Sequence, residues 1–413
     1  MADREFDLVL YGATGFVGVL TAQYLAQSAP AGARIALAGR SRDKLAAVRS
    51  RLGSAAAQWP LVQADSNDQA SMSDLASRTK VVVTTVGPYL RYGTPLVQAC
   101  AEHGTHYADL TGEPVFIRDC IDRFGQQAER TGAKIVNSCG YDSIPSDLSV
   151  YQLYQRSVAD AAGELTDVTL VASLKGGVSG GTLDSGRATA EALLADPAKS
   201  SIMSRPNSLS PDESLEPDLG PQSDRALRRA SSIDPTLDGW VATFLMAAHN
   251  TKIVRRSNGL LGWRYGKSFR YSEVMSAGSS LAAPLVAAGI AGGLEAAHAT
   301  TALLSRSTAG RRILDRVMPK PGTGPSEKSR RSGWFTMRTI AQTTSGTKYR
   351  ATFSGTGDPG YQATAVLLGQ SGLCLAFDEL PEQAGLLTPA SAMGDALTAR
   401  LRAAGMIIEV ERI

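Results

Sequence analysis

Short apolar runs rich in β-branched residues alternate with segments of helical period from residue 6 to about residue 137. The runs are Phe6 to Tyr11, Arg34 to Ala38, Trp59 to Gln63, Lys80 to Val86, a short one near Tyr107, and Lys134 to Asn137. Between them, Gly15 to Gln27, Arg42 to Leu52, Asn67 to Ser77, Thr94 to His103 and Glu113 to Arg130 carry helical spacing. Strands joined by crossover helices pair in parallel and bury both sheet faces, so the order predicts an α/β fold with an N-terminal Rossmann-type, doubly wound parallel sheet. After Ser146 the alternation changes. Asp167 to Leu174 and Tyr349 to Ser354 read as strands, Arg205 to Arg229 as loop, Gly360 to Met406 as helix and Met406 to Val410 as a last strand. The expected division is a Rossmann domain over 1–147, a second α+β substrate or dimerisation domain over 148–355, and a C-terminal segment over 356–413 that packs back on the first domain.

Two stretches of the second half stand out. Val274 to Leu294 is 21 residues without a charge, rich in Ala, Gly and Ser, and reads as a buried or substrate-lining helix in preference to a membrane contact. Arg306 to Arg331 holds eight basic residues against two acidic ones. A solvated loop is the plain reading of that run; a docking patch for an acidic carrier domain or for anionic lipid is the sharper one.

Composition narrows the function classes. With 43% apolar and 20% charged residues over 413 positions, the chain has the balance of a soluble globular protein of two domains. The formal charge of +3 and the lack of a basic stripe interleaved with aromatics argue against a nucleic-acid partner. Cys100, Cys120, Cys139 and Cys374 lie far apart, as reduced thiols do, and the charged start runs straight into a strand, which together predict a cytoplasmic protein. His103 and His106 lack a third ligand at suitable spacing, so no metal site is expected.

The strongest motif is Gly12-Ala-Thr14-Gly15-Phe16-Val-Gly18, which follows an apolar strand and opens a helix. Glycines at this spacing allow a tight turn, let backbone N–H groups reach a pyrophosphate and bring the helix close to the sheet. The second strand ends in Arg40-Ser41, with Lys44 one turn on, where an NAD enzyme usually places a carboxylate. A cation there can bind a 2′-phosphate, so the expected cofactor is NADP(H). Asp65 stands where such folds contact adenine, with loop capping as its alternative; Val86, Gly87 and Pro88 stand at the nicotinamide end. No tyrosine has a lysine four residues on, which disfavours the short-chain dehydrogenase pair. Hydride transfer needs a held substrate and a group that protonates or stabilises the product. The catalytic candidates are therefore Tyr89, Tyr141 and Asp142, among a wider set of Tyr107, Asp109, Glu113, Cys139 and Ser143, each with a capping or packing role as its alternative.

These segments together resemble the saccharopine dehydrogenase-like family, in its branch of mycobacterial trans-acting enoyl reductases. The matching pieces are Tyr11 to Gly18, Ala38 to Arg40, Val86 to Tyr89 with Tyr92-Gly93, Ala99-Cys100, Gly104 to Glu113, Ser138 to Asp147, Gly357 to Tyr361 and Leu387 to Gly394. The resemblance implies reduction of an α,β-unsaturated acyl thioester, supplied in trans to a polyketide synthase during synthesis of phthiocerol dimycocerosates and phenolic glycolipids. It leaves open a family reductase of an imine or carbonyl, and a non-catalytic, lipid-associated cofactor binder. The expected partners are a small-molecule or carrier-bound acyl substrate and a synthase carrier domain, with a homodimer and peripheral membrane association as further readings.

Overall fold

A computed structural model describes residues 4–305 and 324–413, apart from 178, 221, 224 and 225, together with 307, 309, 310 and 312. Strands β1 (Phe6–Tyr11), β2 (Ile35–Gly39), β3 (Leu61–Gln63), β4 (Thr79–Thr84), β5 (His106–Ala108) and β6 (Lys134–Val136) lie within the expected alternating region. The second half contributes β7 (Leu165–Lys175), β8 (Leu227–Arg229), β9 (Trp240–Thr243), β10 (Arg270–Gly278), β11 (Trp334–Thr343), β12 (Lys348–Thr356), β13 (Gly385–Leu387) and β14 (Ile407–Arg412).

The first sheet is parallel and runs β3-β2-β1-β4-β5-β6-β13, with Leu8 of β1 level with Ile35 on one side and Val81 on the other. Strand order reverses between β1 and β4, so the helices after these two strands leave on opposite faces and open a crevice at the carboxyl ends. Leu8, Val9 and Leu10 are fully buried, as a sheet covered on both faces requires. Ser41 accepts from Lys44 N to cap helix Arg42–Arg51, and Asp68 caps helix Gln69–Ser77 in the same way.

The second sheet is mixed, in the order β14-β12-β11-β7-β10-β9-β8. Among the described residues, only β7 and β10 pair in parallel there. The chain then returns to the first sheet: helix Thr364–Phe377 packs under β1, β4 and β5, and β13 joins β6 before β14 goes back to the second sheet. The short strand β13 interrupts the stretch that reads as continuous helix, because Gly385-Leu386-Leu387 is too brief to show a period of two.

The uncharged stretch from Val274 needs correction. Its first five residues finish β10, and the helix is Ala283–Ser305. That helix is not a buried one: Ala283 and Ala287 are buried, while most of the described side chains between Leu281 and Leu303 are exposed. Small Ala and Gly side chains allow close packing along one stripe and leave the remainder outside. Most of the basic run lies outside the described residues; its end forms helix Glu327–Arg331.

Candidate active site

The turn after β1 is built around two steric facts. Gly12 has φ +85°, and a Cβ there would lie 2.7 Å from Val86 Cγ2; a Cβ on Gly18 would lie 2.2 Å from the Gly12 carbonyl oxygen. Gly15 N donates to Gly12 O at 2.9 Å, and helix Phe16–Ser28 starts with no side chain capping its first amides. Those uncapped N–H groups and the helix dipole suit a phosphate anion. Thr14 is exposed beside them. The Phe16 ring faces away from that role, edge-on to Tyr361 at 5.0 Å and under the Arg330 guanidinium at 5.2 Å.

At the end of β2, Arg40 and Lys44 are exposed, and neither side chain has an ion-pair partner among the described residues. Asp65 Oδ1 accepts from both Asn67 N (3.0 Å) and Asn67 Nδ2 (3.1 Å), the loop-closing role. Ser41 is engaged as the helix cap already described.

Val86, Gly87 and Pro88 follow β4 directly beside Gly12, since Thr85 N donates to Tyr11 O and Thr85 Oγ1 to Gly12 O. Glu113 holds what comes next. Its buried carboxylate accepts from Tyr89 N (3.0 Å), Leu90 N (2.8 Å) and Ser185 Oγ (2.6 Å), the last from helix Gly180–Ala195 of the second domain. Arg91 pairs with Glu191 of the same helix at 2.6 Å. The helix is thereby fastened over the carboxyl edge of the parallel sheet.

Asp109 is the hub of the neighbouring loops. Its carboxylate accepts from Tyr107 Oη (2.9 Å), Asn137 Nδ2 (2.8 Å), Thr111 N (3.0 Å) and Ser138 N (2.8 Å). Burial pushes this carboxyl up to about 6 against those four donors. They hold Ser138 in the left-handed region at φ +63°. Ser138 Oγ donates to Thr111 O at 2.7 Å and meets His249 Nε2 at 3.0 Å. The single Ser138 proton goes to the carbonyl, so His249 Nε2–H is the donor in that pair and Nδ1, buried with no partner, is the bare nitrogen. Burial keeps the ring neutral, with its pKa lowered to about 3.

A model of the saccharopine dehydrogenase NADP-binding domain matches residues 8–138. A Mycobacterium ulcerans trans-acting enoyl reductase is 50% identical over 421 residues, covering 100% of this chain and 99% of the relative. A Mycobacterium tuberculosis protein provisionally named as a trans-acting enoyl reductase is 53% identical over 416 residues, covering 99% and 98%. The chain belongs to the trans-acting enoyl reductase branch of the saccharopine dehydrogenase-like family. The glutamate-forming saccharopine dehydrogenase of Saccharomyces cerevisiae shares the fold of this family member across 98% of the chain and 99% of its own, at TM-score 0.58 and 13% identity.

The cofactor of this saccharopine dehydrogenase-like protein is NADP(H), and the residues fit it: a glycine turn that a Cβ would fill, an uncapped helix entry, and two exposed cations where a 2′-phosphate lies. The three catalytic candidates share the sheet edge but differ in environment. Tyr89 is buried, its hydroxyl donating to Thr84 O (3.2 Å) and accepting from Leu110 N (3.1 Å). Tyr141 is buried edge-on to Phe335, with its N–H donating to Thr364 Oγ1 and its hydroxyl 3.8 Å from Met337 Sδ. Burial holds both phenols well above their usual range. Asp142 is half-buried, has no hydrogen-bond partner among the described residues, and is pushed up to about 6 by burial alone. Cys139 is a buried thiol that donates to Val136 O, its pKa raised by burial.

The sequence reading omits Ser185, His249, Asn250, Thr364 and Asp358. Asn250 links the domains, accepting from Ser143 Oγ (3.1 Å) and donating to Glu273 Oε2 (2.9 Å). Asp358 Oδ2 accepts from Gly177 N at 3.1 Å, while its Oδ1 is buried without a partner. Of these, only Asp358 lies in a segment that the family resemblance marks.

Proposed function

We propose that this chain is an NADPH-dependent trans-acting enoyl reductase that saturates the α,β-double bond of an acyl thioester carried by a separate polyketide synthase, in the synthesis of cell-envelope lipids. Full-length identity to proteins of that name supports the reaction class. The observation that carries the chemistry is Asp142, a carboxyl whose pKa burial raises to about 6, on the same sheet edge as the dinucleotide turn.

When bound, NADPH supplies a hydride to the substrate β-carbon. The chain's own residues do the rest. Gly12 to Gly18 receive the pyrophosphate on backbone N–H groups, and Arg40 with Lys44 neutralises the 2′-phosphate. Val86 to Pro88 line the nicotinamide end, kept in place by Glu113 through the amides of Tyr89 and Leu90. Asp142 delivers its proton to the α-carbon as the enolate collapses. An acidic carrier domain would meet the basic run between Arg306 and Arg331.

The test follows NADPH oxidation with an α,β-unsaturated acyl thioester. Arg40→Ala should raise the NADPH KM by about tenfold or more with kcat nearly unchanged, since a charge-assisted contact to phosphate is lost. Asp142→Asn should lower kcat by about 10²-fold or more. NADPH binding without oxidation by any enoyl thioester would overturn the assignment.

A further inference from the structure

Phe16, the first residue of the helix with uncapped entry amides, is enclosed by segments from the far half of the chain. Gly324 lies so close to its ring that a Cβ there would overlap the ring carbons Cε1 and Cζ. Arg330, on helix Glu327–Arg331, holds its guanidinium 5.2 Å from the centre of the same ring, and Tyr361 closes the ring's edge at 5.0 Å. This strap is fastened from behind. Asp358 N donates to Arg330 O at 2.7 Å and Gly357 N to Gly333 O at 2.8 Å, while Tyr361 Oη accepts from Gly180 N at 3.2 Å.

The charges on the strap differ in how they are matched. Arg331 pairs with Glu327 at 2.6 Å, whereas Arg330 has no acidic partner among the described residues. Arg330 Nη1 donates to Pro325 O at 2.7 Å, and Nε is buried with no partner. A half-buried guanidinium that meets only a carbonyl and a ring face has lost hydration without gaining an anion. The residue beneath it supplies the place for one, because the open N–H groups and the dipole of helix Phe16–Ser28 attract phosphate. Guanidinium N–H groups match phosphate oxygens in geometry as well as charge. We infer that Arg330 binds the pyrophosphate of NADP(H) together with the glycine turn, so that the far half of the chain completes the dinucleotide site. Cofactor binding then ties the turn to the 357–361 loop and, through Tyr361, to the entry of helix Gly180–Ala195. The inference rests on the turn as the pyrophosphate site and is independent of the bond that the hydride reduces.

The experiment is calorimetric titration of the full chain with NADPH, with NADH, and with adenosine 2′-monophosphate, which carries the 2′-phosphate and no pyrophosphate. Arg330→Gln should weaken NADPH and NADH by the same factor, about tenfold or more, and leave adenosine 2′-monophosphate binding and the melting temperature of the free protein unchanged. Arg40→Ala should do the reverse, weakening NADPH and adenosine 2′-monophosphate and sparing NADH. Arg330→Lys keeps the charge without the fork and should regain part of the loss. Three results would overturn the proposal: NADPH affinity indifferent to Arg330→Gln, a loss for adenosine 2′-monophosphate as large as that for NADPH, or a raised acyl-thioester KM at unchanged NADPH affinity, which would give the cation to a substrate phosphate. If Gly18→Ala weakens NADPH and Arg330→Gln does not, the turn stands and the role of Arg330 alone fails.

Discussion

Ser185 Oγ donates to Glu113 Oε1 at 2.6 Å, and through that carboxylate the second domain is joined to the loop that follows β4. Burial raises the Glu113 pKa and three donors offset part of the rise, so the group works as a tether between backbone amides and a helix. Ser185→Ala should cost about 1–3 kcal/mol of stability. Glu113→Ala should cost more and weaken NADPH binding as well, because Tyr89 N and Leu90 N lose their acceptor. Thermal melts and cofactor titration by fluorescence check both; a Glu113→Ala protein that melts and binds like wild type would sink the tether.

Gly18 tests the dinucleotide turn by sterics alone. An added methyl would stand 2.2 Å from Gly12 O, so helix Phe16–Ser28 must move away from the turn. Gly18→Ala should lose about 1–3 kcal/mol of stability and at least about tenfold in NADPH affinity, since every amide of the helix entry shifts. Isothermal titration with NADPH decides it, and unchanged affinity would show that the turn does not hold the cofactor.

Asp142 should shape the pH profile of turnover. Its proton is held with a pKa of about 6, so the acid form is present below that value and declines above it. Under conditions where chemistry limits the rate, kcat should fall as pH rises through about 6. The Asp142→Asn enzyme should lack this limb. The same limb in the variant would assign the proton to another group.

Asp147 affects stability in the same pH range. Its carboxylate accepts from Ser257 Oγ and from Ala390 N at 2.8 Å, yet burial, the larger effect, raises its pKa to about 7. A carboxyl whose pKa is higher folded than unfolded contributes stability that is whole below its unfolded pKa, about 4, and is lost as pH rises through about 7. The difference in melting temperature between wild type and Asp147→Asn should therefore change between pH 4 and 7, with the wild type losing ground as pH rises. A difference independent of pH would mean that Asp147 is ionised throughout.

The alternating half of the chain was legible because its signals are local. Strand β1 lies at Phe6–Tyr11 as its apolar run indicates, and the glycine spacing after it needs only neighbouring residues to form the turn. Helix Ala247–Leu260 shows where that legibility stops. Its His249, Asn250, Lys252, Arg255 and Arg256 have the polarity of a surface helix, yet the helix is buried between the domains. Arg256 donates to the carbonyls of Leu209 and Leu386, 47 and 130 residues away in sequence. Partners at such separations satisfy a buried guanidinium, and no window of sequence contains them.

The sequence by itself determined the Rossmann half, the dinucleotide turn, the cationic end of β2 and, through its resemblance, the family. Each rests on short-range spacing, where backbone conformation and charge depend on adjacent residues. Only the tertiary structure decided which acids are tethers and which stays unpartnered. Asp109 meets Ser138 and Asn137, Glu113 meets Ser185, Asp147 meets Ser257 and Ala390, while Asp142 meets no donor among the described residues. Those outcomes depend on desolvation and on donors brought from distant segments, and both arise only when the two sheets and the helices between them have packed.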